Sequence, residues 1–387
     1  MTTKRTPRPK TVAKFIDHVL GEDMHAATVL SITNAVTGVV NAGALGIHAI
    51  GRGLASAKGL AEKHAVKQVD RLIGNEKLTT DEFFALWVPF VLAGRPEVLV
   101  ALDWSDFDDD DQSMLVASVL TAHGRATPLV WKTVLKSTLK DNRDRYEDEL
   151  MYQLWHLVHD KIAVKVTILA DRGFCDKNLY FLLKDVLEFD FIIRFRGNIL
   201  VTSSAGETKP AKEWVGAGGR MRVLHDAQVT ADRFQVETVI CVHEKGMKDP
   251  WCIVASDPTL EGSRVKRYYG KRFTIEESFR DIKDLRYGLG MEWNRIGTTE
   301  RRDRMMMMAV LSIALLTLLG EAGERVGLDR LLKTNTSAKR QLSLFRQGLR
   351  WYEHLPNLRE DRLELLMTSF VEVMKQHRLC QVLFGAI

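Results

Sequence analysis

Tyr269, Arg272, Glu276 and Lys283 follow one another at steps of three, four and seven within YYGKRFTIEESFRDIKD. Those spacings return a side chain to one face of an α-helix. At about 100° per residue the four fall within roughly 60° of one another around the axis. A carboxylate flanked on one stripe by guanidinium, ammonium and phenol suits a helix that holds a divalent metal against a phosphodiester. The acid takes the cation, and the basic groups and hydroxyl hold the phosphate oxygens. The plain alternative is an amphipathic surface helix whose Glu276 pairs with Arg280 and Lys283 in solvent.

Two upstream aspartates weigh against that alternative. EVLVALDW reads as a buried strand ending near Asp103, and AVKVTILA (163–170) as another, terminated by Asp171, Arg172 and Gly173. On neighbouring strands their carboxylates converge, and like charges that close need a cation. Glu276, from a helix packed beside those strand ends, completes an all-oxygen ligand set that favours Mg²⁺ or Mn²⁺ over zinc. Two such ions can activate a water or a 3′-hydroxyl and stabilise the leaving 3′-oxygen of an in-line displacement. Each acid also has a duller reading. Asp103 could close a strand-ending turn, with Asp106 or Asp108 as the ligand instead. Asp171 could be a simple N-cap. The run Asp108–Asp111 reads as a solvated, self-repelling loop rather than a metal site. Glu277 faces about 100° away from Arg272 and Lys283.

The elements that must position these groups form an α/β layer with flanking helices. Residues 1–85 read as an N-terminal helical DNA-binding region, opened by a flexible basic arm in which Pro7 and Pro9 block helix. In KHAVKQVDRLI, Ala65, Val69 and Leu72 line one face and Lys63, Lys67 and Arg71 another, a helix able to lay a basic stripe on DNA or to sit in a small bundle with a wet side. Residues 86–196 and 259–325 read as two parts of a catalytic core. Its order of three strands, a helix and alternating strand–helix units suggests a mixed sheet and fits a ribonuclease-H-like core, among other α/β folds. Between them, 197–258 breaks into short alternating strands, a β-rich insertion carrying Trp214 and Trp251. Residues 326–387 return to helical periodicity.

Composition sets the bounds. With 387 residues, 45% hydrophobic and 27% charged, the chain has room for two or three domains. The net charge of +5 is mild, but basic residues concentrate at the N-terminus and from Arg264 to Arg304, which suits a polyanionic partner. Four scattered cysteines without a C-x-x-C pair argue against a zinc ribbon or a disulfide framework, and for a reducing cytoplasm. MMMMAVLSIALLTLL (305–319) is shorter than the roughly twenty residues that cross a bilayer, so it reads as a buried core helix.

The quartet resembles the Tyr-Arg-Glu-Lys signature of bacterial DDE transposases of the fourth insertion-sequence family (IS-four), with agreement at all four spacings. LDWSDF looks like that family's first-aspartate motif and ADRGF like its second. The long gap before Glu276 is accounted for by an insertion that subgroups of the family also carry. The resemblance implies a DNA transposase using Mg²⁺ at Asp103, Asp171 and Glu276. It would act on double-stranded DNA as a homodimer, by cut-and-paste excision and strand transfer through a hairpin. It implies that Arg272 and Lys283 grip phosphates beside the scissile bond, that Tyr269 donates a hydrogen bond to one, and that an insertion aromatic, Trp214 or Trp251, stacks on a flipped base. The rivals are a metal-dependent nuclease of the same fold without strand transfer and an inactive DNA-binding regulator. Converging acids count against the regulator.

Overall fold

A computed structural model describes residues 9–380 apart from 22, 160, 161, 163 and 335, with side chains from 10 to 375. Most of the basic N-terminal arm, including Pro7, lies outside those residues. Five helices come first: α1 (Pro9–Leu20), α2 (Ala26–Ala42), α3 (Ile47–Lys58), α4 (Glu62–Ile73) and α5 (Thr80–Leu92). Pro9 opens α1 instead of blocking it, because the first helical position has no partner for a backbone N–H. The α2–α3 crossing depends on glycine: a Cβ on Gly38 would meet the Ile50 carbonyl oxygen at 2.3 Å, and one on Gly53 the Gly38 oxygen at 2.3 Å. On α4, Ala65, Val69 and Leu72 are buried while Lys63, Lys67 and Arg71 are exposed. Helix α5 runs through residue 85, the expected domain boundary. Its Trp87 indole donates to the Pro128 carbonyl at 2.7 Å, tying the helical region to the sheet.

The sheet is built from β1 (Glu97–Phe107), β2 (Gln112–Leu120) and β3 (Ala126–Leu135), then α6 (Arg143–His159), β4 (Lys165–Ala170), α7 (Lys177–Phe181) with a π turn at Leu182–Val186, and β5 (Asp190–Phe195). Strands β6 (Leu200–Thr202), β7 (Thr208–Pro210), β8 (Arg222–Val229), β9 (Phe234–Val242) and β10 (Trp251–Ala255) follow. All ten join in one sheet, in the order β3-β2-β1-β4-β5-β10-β9-β8-β6-β7. Strands β1 to β3 are antiparallel neighbours, whereas β4 runs parallel to both β1 and β5. The expected insertion is antiparallel, but it does not form a sheet of its own. Strand β10 pairs with β5 and carries the rest as an extension of the core.

Strand β1 also outruns its expected end near Asp103. Residues Asp103 to Phe107 stay paired with Val116 to Gln112, so Asp103 lies within the ladder. Alternation then decides which way each side chain faces. Val98, Val100 and Leu102 enter the larger core, whereas Leu99 and Ala101 enter a smaller one on the opposite face, with Leu169, Ile192, Val265, Tyr269 and Ile275. Asp103 shares parity with Leu99 and Ala101, as Asp171 does with Leu169. Both acids therefore face the side covered by α8 (Gly262–Lys271) and α9 (Thr274–Lys283).

The other face is closed by the N-terminal helices, α6 and the C-terminal α10 (Thr299–Arg325), α11 (Leu344–His354) and α12 (Glu360–Cys380). Met305–Met308 are all buried in α10, consistent with an adaptable core filler. Helix α10 is long and apolar enough to cross a membrane, but 89% of its most apolar window is enclosed by the protein. Two of the scattered cysteines meet in the fold: Cys241 and Cys252 are free, buried register partners on β9 and β10.

Candidate active site at the β1 and β4 strand ends

The parallel register of β1 and β4 pairs Leu102 with Ala170, which sets Asp103 and Asp171 one step further along on adjacent strands. Asp171 follows the last residue of β4 and caps the turn Arg172–Phe174, its Oδ1 accepting from the Gly173 amide at 2.7 Å. The N-cap reading is thus correct as geometry, and it leaves Oδ2 open. Asp103 accepts from its neighbour's amide, Trp104, at 3.0 Å through Oδ1. Burial pushes its carboxyl up to about 6, an effect opposed by Arg272 and reinforced by Asp171.

Helices α8 and α9 supply the rest of the quartet. They are not one straight helix. After Lys271 the backbone tightens to three-residue bonds, Arg272 to Tyr269 and Ile275 to Arg272, each at 3.0 Å. The Thr274 hydroxyl donates to the Lys271 carbonyl at 2.9 Å, a back-bond that bends helices. The helix is therefore interrupted between Lys271 and Thr274, while Arg272 and Glu276 keep the i, i+4 contact expected from spacing. Arg272 bridges the pieces nonetheless: Nη1 reaches Asp103 Oδ2 and Nη2 reaches Glu276 Oε1, both at 3.0 Å. Glu276 is 54% exposed at its side chain, against 20% for Asp103. Glu277 points elsewhere, to Arg280 and Arg125.

Tyr269 is buried beside Arg272. Burial raises its phenol above the usual value although Arg272 and Arg194 pull the other way. Its ring packs edge-on against Trp251 at 5.0 Å, and Phe273 completes that cluster. Lys283 lies at the far end of α9, donating to the Asp106 carbonyl and sitting 4.6 Å above the Phe107 ring. Asp106 is held by Lys136 and Ser113. Asp108 and Asp109 are exposed, as a solvated loop requires. Asp110 departs from that expectation, because the buried Arg302 claims it in an ion pair.

Of the two insertion tryptophans, Trp251 borders the quartet. Trp214 is packed inside the insertion, its indole donating to the Val201 carbonyl at 3.3 Å. Lys63, Lys67 and Arg71 lie on α4 of the helical region, a separate element from those that carry the three acids.

Among the described residues no three His, Cys, Asp or Glu side chains stand grouped as a ready metal site. The reason is visible in the geometry: the Arg272 guanidinium occupies the space between Asp103 and Glu276. The donor chemistry still fits a hard cation. Arg272 joins Asp103 to Glu276, and Asp171 at the end of the adjacent strand is near enough to raise the Asp103 carboxyl.

Residues 132–315 match the family model of the transposase DDE domain. No curated protein matches the chain. The transposase-domain match covers just under half of the sequence and supports a DDE transposase. It includes Asp171, Glu276 and the quartet, while Asp103 lies upstream of it.

One part of this neighbourhood escaped the sequence. Trp104, next to Asp103, donates its indole N–H to Glu147 Oε1 at 2.8 Å, and the same oxygen accepts from Arg143 Nε at 3.0 Å. Glu147 is 4% exposed, and burial pushes its carboxyl up to about 7 against the pull of both donors. A raised folded-state pKa means that the folded protein binds this proton more tightly than the unfolded chain. The associated stability is therefore present at low pH and is lost as pH rises from the unfolded value near 4.5 through about 7. Glu147→Gln keeps an acceptor but carries no charge. Its melting temperature is expected to exceed the wild type's at pH 8, by the equivalent of about 2–3 kcal/mol, and to converge with it near pH 4.5. Thermal melts across that range check the sign; a gap that widens on acidification refutes it.

Proposed function

We propose that the chain is a DNA transposase of the IS-four family that excises a mobile element by cut-and-paste and joins it to target DNA. The observation that carries this reading is the bridge from Arg272 to Asp103 and Glu276. It joins one guanidinium to an acid 169 positions upstream and to the glutamate of its own signature. The strand order β3-β2-β1-β4-β5, with its antiparallel and parallel halves, supports a ribonuclease-H-like core.

In this reading Asp103, Asp171 and Glu276 would hold two Mg²⁺ ions, which Mn²⁺ can replace. When bound, such ions activate an attacking oxygen and neutralise the leaving 3′-oxygen. The remaining tasks fall to the chain's own residues. Arg272 holds the pocket's charge in balance, and a scissile phosphate offers its fork a second bidentate partner. Lys283 fixes a neighbouring phosphate as a point charge, and Tyr269, enclosed beside Arg272, braces it. Trp251, at the border of the quartet, is the better placed of the two tryptophans to stack on a flipped base. Lys63, Lys67 and Arg71 on α4 give the helical region its sequence-independent grip on duplex DNA. Two ends must be handled in one event, so the working unit on DNA is a homodimer. The setting is the cytoplasm of a prokaryotic cell.

Water and a 3′-hydroxyl differ only as the attacking oxygen, so one site runs both nicking and transfer. First a nick frees a 3′-hydroxyl, then that hydroxyl attacks the opposite strand to close a hairpin, and reopening readies the end for joining. The decisive experiment supplies a labelled 3′-hydroxyl end with Mg²⁺ and looks for hairpin and joined products. Free ends alone would reduce the protein to a nuclease and end the transposase reading.

A further inference from the structure

Arg143 is an arginine held in place with its working end free. Its Nε is taken by Glu147, and its guanidinium carbon lies 5.4 Å from the Trp104 ring and 5.9 Å from the Phe174 ring. Both terminal amino groups lack an ion-pair or hydrogen-bond partner among the described residues, and the side chain is 43% exposed. Nη2 comes within 3.8 Å of where a Cβ on Gly173 would sit, beside the amide that caps Asp171. Trp104 follows one acid and Phe174 closes the turn begun by the other. The side chain therefore touches the residues adjoining both acids while belonging to neither motif.

The sheet's alternation places it opposite Arg272. Asp103 faces α8 and α9, whereas Trp104 has the other parity and packs against the larger core with α6. Arg272 and Arg143 thus approach the end of β4 from opposite faces of the sheet. Arg172, exposed in the turn between them, adds a second guanidinium without a partner among the described residues. A planar fork set beside two rings and pinned at Nε has lost part of its rotamer freedom, so less entropy is lost when it binds. The ligand that matches two open N–H groups in one plane is a phosphate oxygen pair.

We infer that Arg143 is a DNA-phosphate contact on the Asp171 side of the site, held in register by Glu147, so that the strand is gripped from both faces of the sheet. This rests on the transposase reading of the same pocket. Arg143 is a binding residue, and Glu147 is a positioning residue that acts through it.

The test measures binding of a labelled random-sequence duplex to the full-length protein, without metal, over a range of salt. Each phosphate contact adds close to one unit to the slope of log K against log salt. Arg143→Ala is expected to make that slope shallower by about one, and Arg143→Lys to retain most of it because the charge survives. Glu147→Gln keeps an acceptor for both donors and is expected to bind as wild type does, whereas Glu147→Leu should lose the contact as Arg143→Ala does. Lys283→Ala is the internal reference. If Lys283→Ala lowers the slope and Arg143→Ala leaves it unchanged, the inference is overturned while the site stands. If neither variant alters it, the reading of the pocket as a DNA site falls and takes this inference with it. Matching melting temperatures for the Arg143 variants exclude loss of fold as the cause.

Discussion

Asp171→Asn is expected to reduce Mg²⁺-dependent strand cleavage by at least about a thousandfold while leaving duplex binding within about twofold, because losing a direct metal ligand, the role proposed for Asp171, must cost more than the 10–100-fold typical of residues that only support one. The substitution is close to isosteric. Asparagine keeps an Oδ1 acceptor for the Gly173 amide, so the turn Arg172–Phe174 retains its cap. What disappears is one negative charge beside Asp103, whose carboxyl is raised partly by Asp171. Asp103→Asn should give a loss of similar size. The double variant should be little worse than either single one, since groups that act as a unit do not add. Glu276→Gln is less clean, because it also weakens the pair with Arg272. Cleavage by Asp171→Asn within tenfold of wild type would remove that residue from the site.

How much of this could be read in advance depends on whether the signal was local. Asp103 and Asp171 stood out because each ends or follows a run of apolar β-formers, and such runs are visible in a short window. The register that makes them neighbours is not local: nothing in EVLVALDW or AVKVTILA states that Leu102 meets Ala170. The quartet's spacing was legible, yet the interruption at Arg272 and Phe273 was not, since there the Thr274 hydroxyl takes the Lys271 carbonyl that a continuous helix would give to an amide. The insertion's strands were marked by alternation and turns. Their continuity with the core depends on the antiparallel pairing of β10 with β5, a contact between segments more than fifty residues apart. Arg143 and Glu147 are an i, i+4 pair on a helix, and nothing in the sequence sets them apart from other such pairs. The partner that gives them meaning, Trp104, lies 43 positions upstream. Charge runs misled in the same way at Asp110, which only the fold reveals as the partner of the enclosed Arg302.

Arg302 supplies the largest stability effect expected of a single change. Its side chain is fully enclosed, its Nη2 is paired with Asp110, its Nε donates to Gln112 Oε1 at 2.5 Å, and its guanidinium lies 3.9 Å over the Phe107 ring. Asp110 also accepts from the Ile296 amide, and Gln112 donates to the Ile296 carbonyl. One cation thus ties the start of α10 to the turn joining β1 and β2. Arg302→Met keeps much of the volume but leaves Asp110 only the Ile296 amide and a longer pair to the exposed Arg295 at 3.7 Å, and breaking an enclosed pair from one side costs about 3–5 kcal/mol. The companion change Asp110→Asn removes the weakened pair's charge, so the double variant is expected to recover a large part of that loss, a positive coupling in the cycle. Function should suffer along with stability. The same turn follows the Asp106 carbonyl that anchors Lys283, so loosening it frees the proposed phosphate contact from its register. Urea unfolding of the four proteins of the cycle decides the matter. A loss under about 1 kcal/mol in Arg302→Met, or a double variant no more stable than the single one, would mean that this arginine is held by its packing against Phe107 and not by its charge.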